Sequence, residues 1–227
     1  MAESATPPKA SGQSKRRGDS LLKKINKKFK QLLLEKNRRN KRNKHLKYKG
    51  VKLMFQDEAS FGRISEPANC WSPPKCRPSV PCQRIREYRP VYCAVSPADG
   101  EMFIDVLTKC NTLDMSVFLY KLSLKYHDEL ILLVVDQASY HKSKDLLVPD
   151  NIRLFFLPPR TPEMNPVEIL WREIRKRGFK NKCFDSIKDV IAMLHEVVLS
   201  FSNEDVHRLT FWGWIRNVSS LVVLELD

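Results

Sequence analysis

No stretch of this sequence approaches the roughly 18 consecutive apolar residues that a membrane-spanning helix requires, which argues against a membrane protein. Its start, Met1-Ala2-Glu3-Ser4-Ala5, lacks the basic cluster and apolar run of a secretory signal. The expectation is therefore a soluble intracellular protein with no membrane partner, cytoplasmic or nucleoid-associated in a bacterial or archaeal cell, nuclear in a eukaryotic one. The six cysteines include no CxxC pair, and the five histidines are scattered. Cys70, Cys76 and Cys82 recur every six residues, but no fourth ligand follows at zinc-site spacing. Reduced thiols are expected rather than a structural zinc.

Acidic residues are scarce at one end only. Residues 1–50 hold 17 Lys/Arg against Glu3, Asp19 and Glu35, whereas 23 basic and 23 acidic residues cancel in the remainder. The net charge of +14 thus belongs to a basic arm on a neutral domain. Such an arm favours a polyanion, DNA or RNA being the common choice; a solvated helix face, a membrane-surface helix and a targeting segment are its rivals.

Residues 1–20, rich in Ser, Pro and Lys, read as a disordered basic tail. From Leu21 to about Lys47, Leu21, Ile25, Phe29 and Leu32 fall on one helical stripe among Lys and Arg. This predicts a basic amphipathic helix and linker over 21–49, fraying from Asn37 to Lys44, its stripe resting on the domain or on a second subunit. Arg38, Arg39, Lys41 and Arg42 are its candidate phosphate contacts.

Val51–Gln56 reads as a strand running into Asp57. Glu66–Pro90, rich in Pro and Cys, reads as a loop or hairpin containing Trp71. Two strands, Arg89–Val95 and Glu101–Leu107, flank a Pro97–Gly100 turn. Thr112 is placed as the N-cap of a helix carrying Met115, Phe118, Leu119, Leu122 and Tyr126. Glu129–Val135 is an apolar run suited to a strand buried on both faces and ends at Asp136. Ile152–Leu157 is a further strand, and helices follow over Pro166–Arg177, over Ser186–Ser200 and from Asn203. Strands first, then strands alternating with helices, make a mixed α/β sheet. A core domain over 50–215 and a C-terminal tail over 216–227 complete the expected organisation, with Trp212 and Trp214 anchoring the last segment.

Asp57 and Asp136 stand where apolar strands stop, the edge at which open α/β sheets place functional groups, although Asp is also a common turn-former. Asn165-Pro166-Val167-Glu168 reads as a helix start, with Asn165 as N-cap and Glu168 in a capping position; a capping Glu can also be functional. Glu163 and Glu173 compete with Glu168 as a third acid.

Three motifs stand in order: Gln56-Asp57-Glu58-Ala59-Ser60-Phe61, Val135-Asp136-Gln137-Ala138-Ser139-Tyr140-His141, and Leu157-Pro158-Pro159-Arg160-Thr161-Pro162-Glu163-Met164-Asn165-Pro166-Val167-Glu168-Ile169-Leu170-Trp171. Together, over about Lys52–Lys176, they resemble the catalytic signature of Tc/mariner-like DDE transposases, especially the bacterial insertion-sequence branch. The resemblance implies an RNase H-like mixed sheet flanked by helices, behind a basic N-terminal helical arm. It implies Asp57, Asp136 and Glu168 as catalytic metal ligands, holding two Mg²⁺ ions with Mn²⁺ as a substitute. The implied activity is cleavage and strand transfer of double-stranded DNA, transposon ends and target, by a homodimer or larger assembly.

His141, Lys142, Arg160 and Arg172 are close enough to these acids in sequence to contact phosphates, and an ordinary surface or helix-end role competes equally for each. Trp71 is either a contact to DNA or a partner subunit, or a buried loop anchor; Trp171 reads as core. Gln137 replaces the family's usual Asn, and Cys76 stands where Gly is usual. Residues 1–50 offer no room for a helix-turn-helix domain, so end recognition is expected from a separate part. An inactive or domesticated remnant acting as a basic DNA-binding module is the alternative.

Overall fold

A computed structural model describes residues 12–42, 48–211, 213 and 215 of the chain. Residues 1–11 of the expected tail, the 43–47 stretch, Trp212, Trp214 and the 216–227 tail lie outside the described residues.

The sheet has the order β3-β2-β1-β4-β5. It is built from β1 (Gly50–Ile64), β2 (Arg84–Val95), β3 (Met102–Val106), β4 (Glu129–Val135) and β5 (Ile152–Phe156). β1 pairs antiparallel with β2 and β2 with β3, while β1 pairs parallel with β4 and β4 with β5. This is the mixed sheet of an RNase H-like fold, as expected. β4 lies between β1 and β5, and Leu130–Val135 are wholly buried. Its unbroken apolar run follows from having both faces covered.

Helices α2 (Thr112–Lys125), α3 (Val167–Gly178), α4 (Ile187–Leu199) and α5 (Asn203–Thr210) complete the layers. Met115, Phe118, Leu119 and Leu122 of α2 pack on one face of the sheet with Met54, Tyr92 and Leu133. On the other face Leu170, Trp171 and Ile174 of α3, with Val190 and Leu194 of α4, cover Phe55, Cys93 and Val134. Gly100, at φ 71°, closes the β2–β3 turn against α5. A Cβ there would stand 1.8 Å from the Asn203 carbonyl oxygen, so no larger residue fits.

Helix α1 (Gly12–Arg42) starts nine residues before the expected Leu21. The Ser- and Lys-rich composition that suggested a disordered tail to residue 20 also contains Gln, Lys and Arg, which extend a helix once a packed stripe nucleates it. That stripe is the one the sequence shows: Leu21, Ile25, Phe29 and Leu32 are at most 4% exposed and join the α3/α4 core. Each contributes about 1.5–3 kcal/mol of burial before conformational entropy. Asn40 exchanges two hydrogen bonds of 2.9 Å with the Tyr48 backbone. Glu35 faces Arg153 of β5 at 2.6 Å and Arg39 at 2.8 Å. The apolar stripe therefore rests on the chain's own domain.

Four boundaries differ from the sequence expectation. β1 runs eight residues beyond Gln56, and β2 begins at Arg84 rather than Arg89, forming a two-stranded arm whose β2 half is mostly exposed and reads Arg/Glu/Tyr without apolar alternation, while its β1 half buries Ala59 and Phe61. The N-cap of α2 is Asn111, whose side chain accepts from the Asp114 amide, not Thr112. The N-cap of α3 is Pro166 rather than Asn165, a one-residue shift.

Candidate active site

β1 continues past the point where β4 ends. The parallel pairing stops at Phe55–Val134, so Asp57 lies inside β1 but just beyond the cover of β4. This corrects the reading that the strand stops at Asp57. Opposite Cys93 in β2, Asp57 shares the α3 face of the sheet with Phe55 and Ala59. Its Oδ2 accepts a 3.1 Å hydrogen bond from the indole Nε1 of Trp171. Burial, then the charges of Glu168 and Glu58, push its carboxyl from 3.8 up to about 8.

Glu168 occupies the first turn of α3 and is exposed. Asn165 fixes that turn to β1: its buried Nδ2 donates to the Gln56 carbonyl at 2.9 Å, and its Oδ1 accepts from the Val167 amide at 3.2 Å. The start of α3 is thereby tied to the residue preceding Asp57.

Asp136 follows β4 directly, its side chain 53% exposed. Its Oδ1 accepts from the Ala138 amide at 2.9 Å and faces His141 Nδ1 at 2.8 Å. The His141 hydrogen bond, against the opposing effect of burial, holds the Asp136 carboxyl below its usual range. The other imidazole nitrogen, Nε2, stands 3.1 Å from Glu58 Oε1. With a carboxylate at each nitrogen the ring is a double donor. Burial pushes its pKa down, but the bonds to Asp136 and Glu58 outweigh this and carry it up to about 9.

Asp57, Asp136 and Glu168 line one cleft of about 370 Å³, walled by Leu157–Pro162 and Asn165. Gln137 Nε2 donates to the Leu157 carbonyl at 2.8 Å and joins the two loops of that wall. Arg160, in the left-handed region at φ 58°, lies on its rim.

All three acids are hard oxygen donors suited to Mg²⁺ or Mn²⁺. The charge of Glu168 opposes the ionisation of Asp57, which is the charge imbalance a divalent cation offsets. In this respect the residues fit a cation. Asp136 is turned toward His141, however, and among the described residues no three His, Cys, Asp or Glu side chains converge as a closed ligand set.

The other candidates separate clearly. His141 is 2% exposed with both nitrogens engaged, so it is not free to meet a phosphate; its value to the fold lies in the two carboxylates it joins. Lys142 and Arg172 are exposed near the acids in sequence. Trp71 is fully exposed rather than a buried loop anchor. Arg38, Lys41 and Arg42 are exposed on α1. Arg39 is partly committed, donating to the Asp150 carbonyl at 3.0 Å. That bond sits before β5, at the end of the sheet opposite the carboxylates, so these four are not brought to the cleft.

Glu58, Gln56 and the indole N–H of Trp171 have no role that the sequence alone assigns. Trp171 three residues after Glu168 is the available signal; Glu58 has none, since adjacent strand residues point to opposite faces.

The family model of the DDE superfamily endonucleases matches residues 52–191. A Sinorhizobium fredii protein, the uncharacterized protein y4pE/y4sA, is 38% identical over 102 residues, covering 44% of this chain and 76% of that protein. Among solved structures, the Mos1 strand transfer complex matches with a TM-score of 0.59 and 14% identity, over 98% of this chain and 65% of that one. A pre-cleavage Mos1 transpososome matches at 0.61 and 13%, over 98% and 66%. The Mos1 mariner paired-end complex with Mn matches at 0.59 and 13%, over 100% and 67%. The chain thus spans about two thirds of the length of these proteins, and at such identity the likeness is one of fold.

Proposed function

Because the chain belongs to the DDE superfamily endonucleases, we propose that it is a transposase catalytic core that cuts and joins double-stranded DNA using Asp57, Asp136 and Glu168. The observation that carries this reading is the shared cleft: a half-buried, charge-opposed Asp57 faces the same space as Glu168 and Asp136. Mg²⁺ or Mn²⁺ held by these acids would activate the attacking oxygen and offset charge on the leaving one. The paired-end and Mn-bound states of the Mos1 structures support a DNA substrate and a divalent cation for this chain.

The residues themselves have distinct tasks. Trp171 and Asn165 hold Asp57 and the start of α3 in register. Arg160 and Lys142 supply positive charge where a phosphodiester enters. Water attacks phosphorus and the bond to the 3′-oxygen breaks; the freed 3′-hydroxyl then attacks a target phosphorus in the same cleft, and the bond from that phosphorus to the target strand's own 3′-oxygen breaks. Joining two ends calls for a homodimer or larger complex. Residues 12–42 form a single helix packed on the sheet, so recognition of specific ends is assigned to a helix-turn-helix part outside the described residues.

A second reading, a DNA-binding remnant without cleavage, is favoured by one observation: the three acids do not form a closed ligand set among the described residues. Labelled duplex DNA incubated with wild type and Asp136→Asn in Mg²⁺ and in Mn²⁺ separates the two. Cleavage by wild type that the variant loses supports the enzyme. Binding by both without cleavage by either supports the remnant.

A further inference from the structure

The motif after β4 leaves a question the cleft alone does not answer. Asp136 is the first residue beyond the strand and half of its side chain is open to solvent. An exposed Asp at a strand end ordinarily samples several rotamers, which would leave a cation ligand poorly aimed. Here its Oδ1 is fixed from behind by the Ala138 amide and by His141 Nδ1.

His141 is itself fixed. Its ring is almost wholly buried in a short 3₁₀ turn (Ser139–Lys142), with the Tyr140 ring set edge-on at 4.5 Å. On its far side, Glu58 Oε1 receives both His141 Nε2 and, at 2.8 Å, the Gln56 side-chain amide. Glu58 lies on the opposite face of β1 from Asp57. Through its two nitrogens His141 joins Asp136, just past the end of β4, to Glu58, where β1 runs on.

We propose that His141 is a positioning residue for Asp136, locked by Glu58 and Gln56 into a buried bracket that holds the carboxylate ready for a divalent cation. This rests on the reading of Asp136 as a cation ligand. A partner that orients a ligand in this way typically accounts for about 10- to 100-fold in metal affinity. The essential feature is the Nδ1 donor, not the bulk of the ring.

That distinction sets the experiment. His141→Asn retains a donor near the Nδ1 position, whereas His141→Gln retains one near Nε2 and no longer reaches Asp136. Mn²⁺ is titrated into each protein without DNA, free Mn²⁺ is read by electron paramagnetic resonance, and circular dichroism melts report folding. Wild type and Asp136→Asn bracket the range.

The expected result is a loss of about three- to tenfold for His141→Asn, which keeps the Nδ1 donor but gives up the Glu58 anchor, and a loss of about 30- to 100-fold for His141→Gln. Glu58→Gln, which leaves the imidazole in place but weakens its anchor, is expected to lose about tenfold, and it carries the test if His141→Gln does not fold. Equal affinity in wild type, His141→Gln and Glu58→Gln overturns the bracket while leaving the cation site intact. Equal losses in His141→Asn and His141→Gln overturn the role of Nδ1. Wild type that binds no Mn²⁺, or Asp136→Asn that binds as well as wild type, removes the cation-ligand reading and the bracket with it.

Discussion

Asp57→Asn should make the metal-free protein more stable while abolishing its activity. In the folded chain burial comes first, and the charges of Glu168 and Glu58 next, in raising the Asp57 carboxyl from 3.8 to about 8. The folded state therefore holds a proton that the unfolded state has released across that interval. Stability contributed by this group is then lost as pH rises through it, the reverse of a salt-bridged Asp. A tenfold change in proton affinity is about 1.4 kcal/mol, so the ionisable carboxyl costs the metal-free fold about 4 kcal/mol at pH 7 and about 2 kcal/mol at pH 5.

Asn removes the ionisation and keeps the contacts. Its carbonyl oxygen still accepts from Trp171 Nε1, and its amide can donate toward Glu168. Allowing for coupling between the acids, a gain of about 2–4 kcal/mol near pH 8 is expected, or roughly 5–15 °C in Tm for a chain of this size. Thermal melts in EDTA at pH 5 and pH 8 measure it. The variant should melt well above wild type at pH 8, with the gap narrowing at pH 5. Mg²⁺ or Mn²⁺ should raise the Tm of wild type and leave the variant nearly unmoved. A variant no more stable than wild type at pH 8 would refute the claim that Asp57 is a strained, uncompensated carboxylate.

Three further outcomes are expected. Asn165→Ala removes two bonds that join α3 to β1 and should cost about 2–3 kcal/mol in urea unfolding; a loss under about 0.5 kcal/mol would show that α3 is seated by packing alone. Lys52, its side chain 9% exposed, touches Asp99 and lies 3.1 Å from Glu101 and 3.6 Å from Glu129. Lys52→Met should cost about 2 kcal/mol at pH 7, below the 3–5 of a fully buried pair because Asp99 and Glu101 are about 40% exposed. Burial notwithstanding, Lys52 holds the Asp99 carboxyl below its usual 3.8, so that cost should hold at higher pH and shrink as pH falls below 3.8; a pH-independent cost would point to poorer packing instead. Replacing Lys23, Lys27, Arg38 and Lys41 on the exposed side of α1 by Gln should lower duplex affinity and reduce the log–log salt slope by about 0.9 for each phosphate no longer neutralised, with Tm unchanged; an unaltered slope would make this face merely solvated.

Legibility from sequence follows burial. The run Glu129–Val135 and the α1 stripe are readable because an apolar period marks a covered surface, and both lie where expected. The arm formed by residues 58–64 and 84–90 is not, because its exposed half, residues 84–89, has an Arg, Glu and Tyr pattern that mimics a loop. Asp57, Asp136 and Glu168 stand out through their motifs, and the structure brings them to one cleft. The groups that hold them are harder to see. Trp171 and His141 read from sequence as core and as a phosphate contact, since a bond made 114 residues away along the chain, as between Trp171 and Asp57, leaves no local pattern.

The charge of the basic arm also has a changed meaning once α1 is packed. An unattached arm could fold back over the acids and join any phosphate near the cleft. Packed on the sheet, α1 cannot do so, because Asn40 is bonded to Tyr48 and Arg39 to Asp150 at the entry ends of β1 and β5. Arg38, Lys41 and Arg42 therefore sit near the start of β1, and Asp57 lies seven residues further along it. At about 3.3 Å per residue this separation is roughly 23 Å, about seven base pairs of B-form duplex at 3.4 Å each. One duplex that engages both must run along the strands, with the phosphates held by the basic residues well removed from the bond at the acids. In that arrangement the helix would anchor DNA beside the proposed reaction and leave the chemistry of the cleft to the carboxylates and their supports.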